Sequence, residues 1–551
     1  MGLTQPHFPT VDLEEWARGS RSERIRPMAR HVAEYGFGTP DVVYVLYALK
    51  IALYVIVGML LALSTPGIDG FTDVGQWWDT PVVFYKVALW TMLFEVLGLG
   101  CGFGPLNLRI TPPLGSFLYW LRPGTIRLAP WPRRIPLTGG DRRTAVDVVL
   151  YAALLAALVW ALLGSLTETQ VAVVLVALGV LALRDKVIFL AARSEVYGSL
   201  ALTFFMPDSL LGAKLVMLVI WWGAATSKLN RHFSNVIATM LSNSPLIRSP
   251  RLTRLLHRHV PDDLRPSAVA DWIAHGSTAV EYGVPVLLFL GHGGTLTAVA
   301  VTLMVLFHLN ILLSMPMGVP LEWNVFMIFA VATLFGSHAS IGLSDLSSAW
   351  PLLLAAVLVT TVVFGNLYPS KVSFLPAMRY YAGNWDTSVW LFTPQGLAKL
   401  EAATVRAAPL PFTALERFYG KEQSLLPIWI GYAFRCMHSH GRALFTLVDR
   451  LAPDEEVTLL EGELVAGVVL GWNFGDGHMH NEQLVAALQS RCRFEPGEVG
   501  VVMLEAQPIQ RQAQRYRLVD AATGELERGE VLVRDMVAAQ PWELLPVHVQ
   551  T

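Results

Sequence analysis

The chain has 551 residues, 53% hydrophobic and 15% charged, with a mean hydropathy of +0.46. Soluble domains carry about 25% charged residues, so a wholly soluble globule is excluded and much of this chain must face lipid. The net charge of −2 comes with arginines clustered in loops between apolar runs, which excludes a nucleic-acid-binding stripe. Three cysteines, Cys101, Cys436 and Cys492, fit neither a disulfide framework nor a zinc site.

Residues 1–40 form an N-terminal amphipathic and basic segment. Arg18, Arg21, Arg24, Arg26 and Arg30 mix there with acids, and the apolar core of a cleavable signal is missing. The first span must then act as the insertion signal. Mostly apolar runs of about 20 residues, the length of a membrane helix, begin near Asp41, Pro81, Ala145, Val171, Leu210, Val269, Thr295, Leu321 and Trp350. Val187 to Met206 holds Arg193 and Glu195 and reads either as a tenth crossing or as re-entrant.

Charge bias bears on that choice. The 101–143 loop carries Arg109, Arg122, Arg127, Arg133, Arg134, Arg142 and Arg143, and 228–265 carries seven basic residues from Lys228 through Arg265. The 65–80 loop has Asp69, Asp73 and Asp79 and no Lys or Arg. Ten crossings place both basic loops and both termini on the cytoplasmic side, and the bias favours ten. Polar residues inside the spans (Glu95, Arg184, Asp185, Lys186, His275, Glu281, His308 and Glu322) must turn toward one another or a wet cavity.

Beyond Tyr368 the composition changes. Residues 394–450 are amphipathic and helix-prone, and strand-like runs follow at Glu456–Trp472, Glu498–Ala506, Arg515–Val519 and Val531–Val533. The expected fold is mainly α: a polytopic transmembrane helix bundle of about 9–10 spans (41–369) with a C-terminal α+β soluble domain (370–551).

Two segments carry the strongest functional signal. Gly223-Ala-Ala-Thr-Ser-Lys228-Leu-Asn-Arg-His232-Phe runs on to a Ser-Pro at 244–245, and Phe307-His308-Leu-Asn leads to a Met-Gly pair at 317–318 and to Glu322-Trp323. In these motifs, over roughly residues 40–370, the chain resembles the HTTM superfamily, the membrane domain shared with vitamin K-dependent γ-glutamyl carboxylase. It also looks like a member of an uncharacterised bacterial family of transmembrane proteins, which implies a multi-pass protein of the bacterial plasma membrane. The carboxylase resemblance implies a membrane lysine acting as base toward a quinol, and Lys228 is the position that matches.

A lysine at a membrane boundary is snorkelling, paired or functional, and desolvation pushes it toward a neutral base. His308, mid-helix, is placed to relay a proton or hold a headgroup, and the structural alternative is a helix–helix hydrogen bond. Glu281 completes the candidate catalytic set, with Trp222, His232 and Glu322 as candidate cofactor contacts. His275 and Glu281 are six apart, which is wrong for a two-ligand metal site. The cofactor implied is a quinone or quinol, and the partner a membrane lipid or quinone. The alternative is a non-catalytic lipid-binding or transport-assisting envelope protein in which Lys228 stays charged. His478 and His480, in the Gly-rich 471–482 loop, suit a strained turn better than a metal, and His438-Ser439-His440 is a weaker cluster of the same kind. No Walker loop, dinucleotide fingerprint or Gly-x-Ser-x-Gly elbow is present, so ATP-driven transport and serine hydrolysis are not supported.

Overall fold

The computed structural model describes all residues except 1–2, 69, 102–116, 133, 315–319, 454–456 and 551, and the side chains of 73, 74 and 78. Asp69, Arg109, Arg133, the Met317-Gly318 pair, Glu456 and the Asp73 side chain therefore lie outside the described residues. Helices begin at or within three residues of every predicted span. Among the described residues six are long and apolar enough to cross a membrane: Asp41–Leu63, Ala145–Leu162, Ser209–Ser227, Ala268–Leu290, Gly294–Ser314 and Trp350–Leu367. Pro81–Val96, Glu168–Arg184 and Leu321–Ala330, which runs on as a π turn through Ser337, are shorter. In lipid the backbone can satisfy its own polar groups only along a helix, so apolar runs of this length leave no other outcome. Polar boundaries set their ends: Thr144 with Asp147, and Thr167 with Gln170, form reciprocal capping boxes.

Burial sorts the helices. Only 22% of the Asp41–Leu63 span is buried, against 78% of Ser209–Ser227, so the former faces lipid and the latter forms the centre. Pro81–Val96 is buried along nearly its whole length, packed against Asp41–Leu63, Ala145–Leu162 and Leu321–Ala330. The 187–206 segment is not one helix. It breaks at Arg193, whose φ of 51° is left-handed, between Lys186–Ala191 and a π turn at Ser194–Gly198. Nearly all of it is buried.

Contacts at the two ends of the bundle show that this broken segment still runs from one end to the other. Lys186 Nζ donates to the His478 carbonyl at 2.7 Å, at the end that meets the C-terminal domain. Asp208 accepts from Ser347 Oγ at 2.6 Å, and Lys214 donates to the carbonyls of His338 and Ile341, at the opposite end. Among the described residues, the helices and this broken segment thus run ten times between the two ends. Both basic loops lie at the C-terminal domain's end: Arg491 pairs with Asp141 at 2.5 Å, and His232 bonds Ser439 and Gln507.

The C-terminal domain is built on an antiparallel sheet. Its strands are β3 (Thr387–Phe392), β4 (Thr458–Glu461), β5 (Val499–Leu504), β6 (Ala513–Asp520), β7 (Gly524–Leu532) and β8 (His548–Val549), in the order β4-β3-β5-β6-β7-β8. A small hairpin of β1 (His257–His259) and β2 (Asp263–Pro266) lies in the second basic loop. The strand expected over 456–472 is corrected: only Thr458–Glu461 is extended, and Gly462–Leu470 is a helix closed by Gly471 at φ 91°. A Cβ at Gly462 would lie within 2.4 Å of both Ser388 Oγ and His480 Nδ1, so only glycine lets this turn seat against β3. β3 was not anticipated. All six of its residues are buried, which removes the alternation that marks a half-exposed strand.

The N-terminal segment belongs to this end of the molecule. Ile25, Met28, Ala29 and Val32 of the Arg21–Tyr35 helix share a core with Ala433, Leu444, Val502 and Leu518. Both termini therefore sit at one end of the bundle. Reporters fused at the N-terminus and after Lys371 should give the same side, cytoplasmic by the positive charge of the two loops; opposite signals would contradict ten passes.

Candidate functional site

Of the residues singled out from the sequence, the fold brings Lys228 and Glu281 together. Lys228 follows the last turn of Ser209–Ser227, and its Nζ lies 2.5 Å from Glu281 Oε2, with both side chains at most 10% exposed. The amine also sits 5.6 Å from the centre of the Phe233 ring. An amine acting as base would first have to lose this carboxylate. His308 is held at both nitrogens. Trp221 Nε1 donates to its Nε2 at 3.1 Å, which leaves the proton on Nδ1 to donate to Asn324 Oδ1 at 3.0 Å.

The proposed cofactor contacts are dispersed. Trp222 is 37% exposed and donates to the Tyr282 carbonyl. His232 joins the bundle to the C-terminal domain through Ser439 Oγ (2.6 Å) and Gln507 Oε1 (2.8 Å). Glu322 pairs with Lys50 at 3.0 Å in a separate buried cluster. The 471–482 loop also divides its histidines. His478 faces Asp386 and the Pro369 carbonyl, whereas His480 bonds Ser388. A Cβ at Gly477 would lie 2.3 Å from the Asp386 carbonyl oxygen, a close approach that accounts for glycine there. Replacing Lys228 by Met leaves a buried carboxylate unpaired and should cost about 3–5 kcal/mol. The double change Lys228→Met/Glu281→Leu should recover most of it, as read from thermal unfolding in detergent.

A cavity that the sequence did not reveal lies where the N-terminal segment, the start of Asp41–Leu63 and the C-terminal domain meet. Its volume is about 980 Å³, at the upper end of the roughly 300–1,000 Å³ typical of small-molecule sites. Phe8, Leu46, Tyr47, Phe412, Leu415, Tyr419 and Trp429 supply apolar walls. The Leu425–Met437 helix, the turn before β3 and the loop after Gly471 bring a polar floor. There Arg435 bridges Glu461 (2.5 Å) and Glu463 (2.8 Å). Four buried polar atoms of lining residues have no hydrogen-bond partner among the described residues: Trp385 Nε1, Asn473 Nδ2, Tyr432 OH and His438 Nε2. Asn473 Oδ1 accepts from the Asp476 amide at 3.1 Å, and His438 Nδ1 donates to the Phe434 carbonyl at 2.9 Å. These are three donors and one imidazole acceptor, each buried on a residue that lines the cavity. Lys228, Glu281 and His308 do not line it.

Histidines are unusually dense at this junction, and burial keeps them neutral. It pulls His438 and His480 down to about 3 and His232 to about 4, and it holds His440 well below the ordinary value. The unfolded chain binds these protons near pH 6.5. Their contribution to stability is therefore complete above about pH 6.5 and is lost as pH falls below it. The thermal midpoint should drop between pH 7 and 4, and His438→Asn, which keeps a donor toward Phe434, should make that fall shallower.

Six helices among the described residues that are long and apolar enough to cross a membrane, ion pairs closed between buried helices and a domain seated on one end define a polytopic membrane protein. The chain belongs to the family described as "Transmembrane protein of unknown function (DUF3556)", whose model matches residues 1–550. The matched model is not that of the HTTM superfamily. No curated protein and no solved structure matches the chain.

Proposed function

We propose that this membrane protein binds a lipid-class amphiphile in the cavity between its N-terminal segment and its C-terminal domain. The observation that carries this reading is the pairing of apolar aromatic walls with polar lining residues whose buried donors have no protein partner among the described residues. A buried donor without a partner costs about 1–3 kcal/mol, so a ligand that supplies an acceptor there gains what the free protein lacks. The mouth supports access from lipid. Leu46, Phe418 and Leu425 line the cavity and remain exposed, and Leu46 continues into a stripe of Val45, Leu49, Leu53, Ile56 and Leu60 on the outer face of the first span.

The floor also selects the head. Trp385 N–H, Asn473 N–H and Tyr432 O–H call for acceptor oxygens, while the lining charges Arg24 and Arg435 balance Glu461 and Glu463. With no excess positive charge among these lining residues, the desolvation of an anionic head goes uncompensated. An uncharged head bearing carbonyl oxygens, ester or quinone, suits both features. Lysine-based proton abstraction on a quinone, the reading from motif order, has less support: Lys228 is paired with Glu281, and neither lines this cavity.

Full-length protein in detergent should retain a neutral carbonyl-bearing lipid on extraction and mass spectrometry. It should also bind a fluorescent acylglycerol or ubiquinone analogue saturably. Loss of one floor donor, in Trp385→Phe or Asn473→Leu, should weaken binding about tenfold, near 1.4 kcal/mol. Equal affinity in both variants and wild type, or preference for anionic phospholipid, would overturn the reading.

A further inference from the structure

Apart from the cavity, the membrane bundle encloses a cluster that the proposed function does not use. Glu95 ends the Pro81–Val96 helix, Cys101 lies in the turn after it, and Glu322 opens the Leu321–Ala330 helix. All three are buried, and one ligand atom from each falls within 4.8 Å of the other two. The Cys101 Sγ stands 3.2 Å from Glu95 Oε1 and 3.4 Å from Glu322 Oε1. Tetrahedral zinc, with Zn–S about 2.3 Å and Zn–O about 2.0 Å, sets sulfur and oxygen about 3.5 Å apart. We propose that Glu95, Cys101 and Glu322 are the protein ligands of a thiophilic divalent cation of the zinc class.

The surroundings are those of a built site. Gly98, at φ 76°, turns the chain back on its own helix. The Cys101 amide then donates to Glu95 Oε2 at 2.9 Å, and a Cβ at Gly100 would lie 2.1 Å from that oxygen. Lys50 Nζ holds the far side of Glu322, at 3.0 Å from Oε2. Arg193 Nη1 reaches the sulfur at 3.4 Å while its Nε pairs with Glu195 at 2.8 Å, and the guanidinium lies over Trp323 at 4.2 Å. The left-handed backbone at Arg193 serves this contact. Outer groups of this kind orient ligands and tune a metal.

Two independent observations point to a further occupant. The Tyr197 hydroxyl is wholly buried, has no hydrogen-bond partner among the described residues, and lies within electrostatic reach of Glu95 and Cys101. Glu195 Oε2 is likewise unpartnered. Charge gives the second argument. With a thiol at Cys101, the described carboxylates Glu95, Glu195 and Glu322 outnumber Lys50 and Arg193 by one. A divalent cation with a Cys101 thiolate brings the group to neutrality, the state favoured away from water. The competing arrangement is a thiol hydrogen-bonded between two carboxylates that share a proton.

Elemental analysis of full-length protein purified in detergent without chelator should give about one zinc-class ion per chain. Cys101→Ser and Glu322→Gln should each lower occupancy at least tenfold. Since either variant may misfold, the wild type stripped with chelator and titrated with Co²⁺ gives a second readout. A thiolate-to-cobalt charge-transfer band with tetrahedral d–d absorption is the expected result. Absence of both metal and cobalt spectrum in wild type, or full metal retention in Cys101→Ser, would overturn the assignment.

Discussion

Lys228 with Glu281, Arg143 with Asp185, Arg184 with Asp147, Arg193 with Glu195 and Lys50 with Glu322 meet at 2.5 to 3.0 Å, most of them wholly buried. All but the Arg193–Glu195 pair, which closes within one segment, join separate segments, and each charge alone would be costly there. Breaking a buried pair costs more than forming it gains, so such pairs fix which helices are neighbours more than they add stability. Lys86 and Lys214 follow the same rule with a hydroxyl and with carbonyl oxygens as partners. The central position of Pro81–Val96 and Ser209–Ser227 follows from this constraint. They carry polar side chains that their neighbours must meet, while the outer helices present Leu and Val to lipid.

The C-terminal domain is bound to the bundle by the same kind of contact. Trp120 Nε1 donates to the Leu470 carbonyl at 2.8 Å, Tyr119 bonds the Val469 carbonyl, and Arg442 Nη2 reaches Asn235 Oδ1 at 2.9 Å. The N-terminal helices then pack over the sheet's helices with an apolar face. Where these surfaces diverge, aromatic side chains line space instead of filling it. Walls of that composition surround a floor whose donors face no protein acceptor among the described residues, which suits an occupant with an apolar body and an oxygen-bearing head.

The two centres share an aromatic boundary. Phe474 lines the cavity, and its ring lies 5.2 Å from the Arg193 guanidinium, which in turn touches the Cys101 sulfur. An occupant of the cavity and the Glu95–Cys101–Glu322 group are therefore separated by one ring and one side chain. Lys228, in contrast, is enclosed with Glu281 on the side of the bundle formed by the Ala268–Leu290 helix.

The sequence by itself determined the helices and their ends, because in lipid an apolar run has only one way to satisfy its backbone, and that depends on local residues alone. Through the arginine-rich loops, which lie together at one end, it favoured an even number of passes without deciding it. Val187–Met206 was ambiguous for a local reason: Arg193 and Glu195 look foreign to a span until each is seen to neutralise the other. β3 and the Gly462–Leu470 helix were misread because full burial erases the period that tells strand from helix. Which polar residues meet was decided by tertiary structure alone. Glu95, Cys101 and Glu322 are up to 227 positions apart in chain order, and the cavity floor gathers residues from 385, 432, 435, 461 and 473. Spacing along a chain carries no information about such meetings; helix packing and the neutralisation of buried charge do.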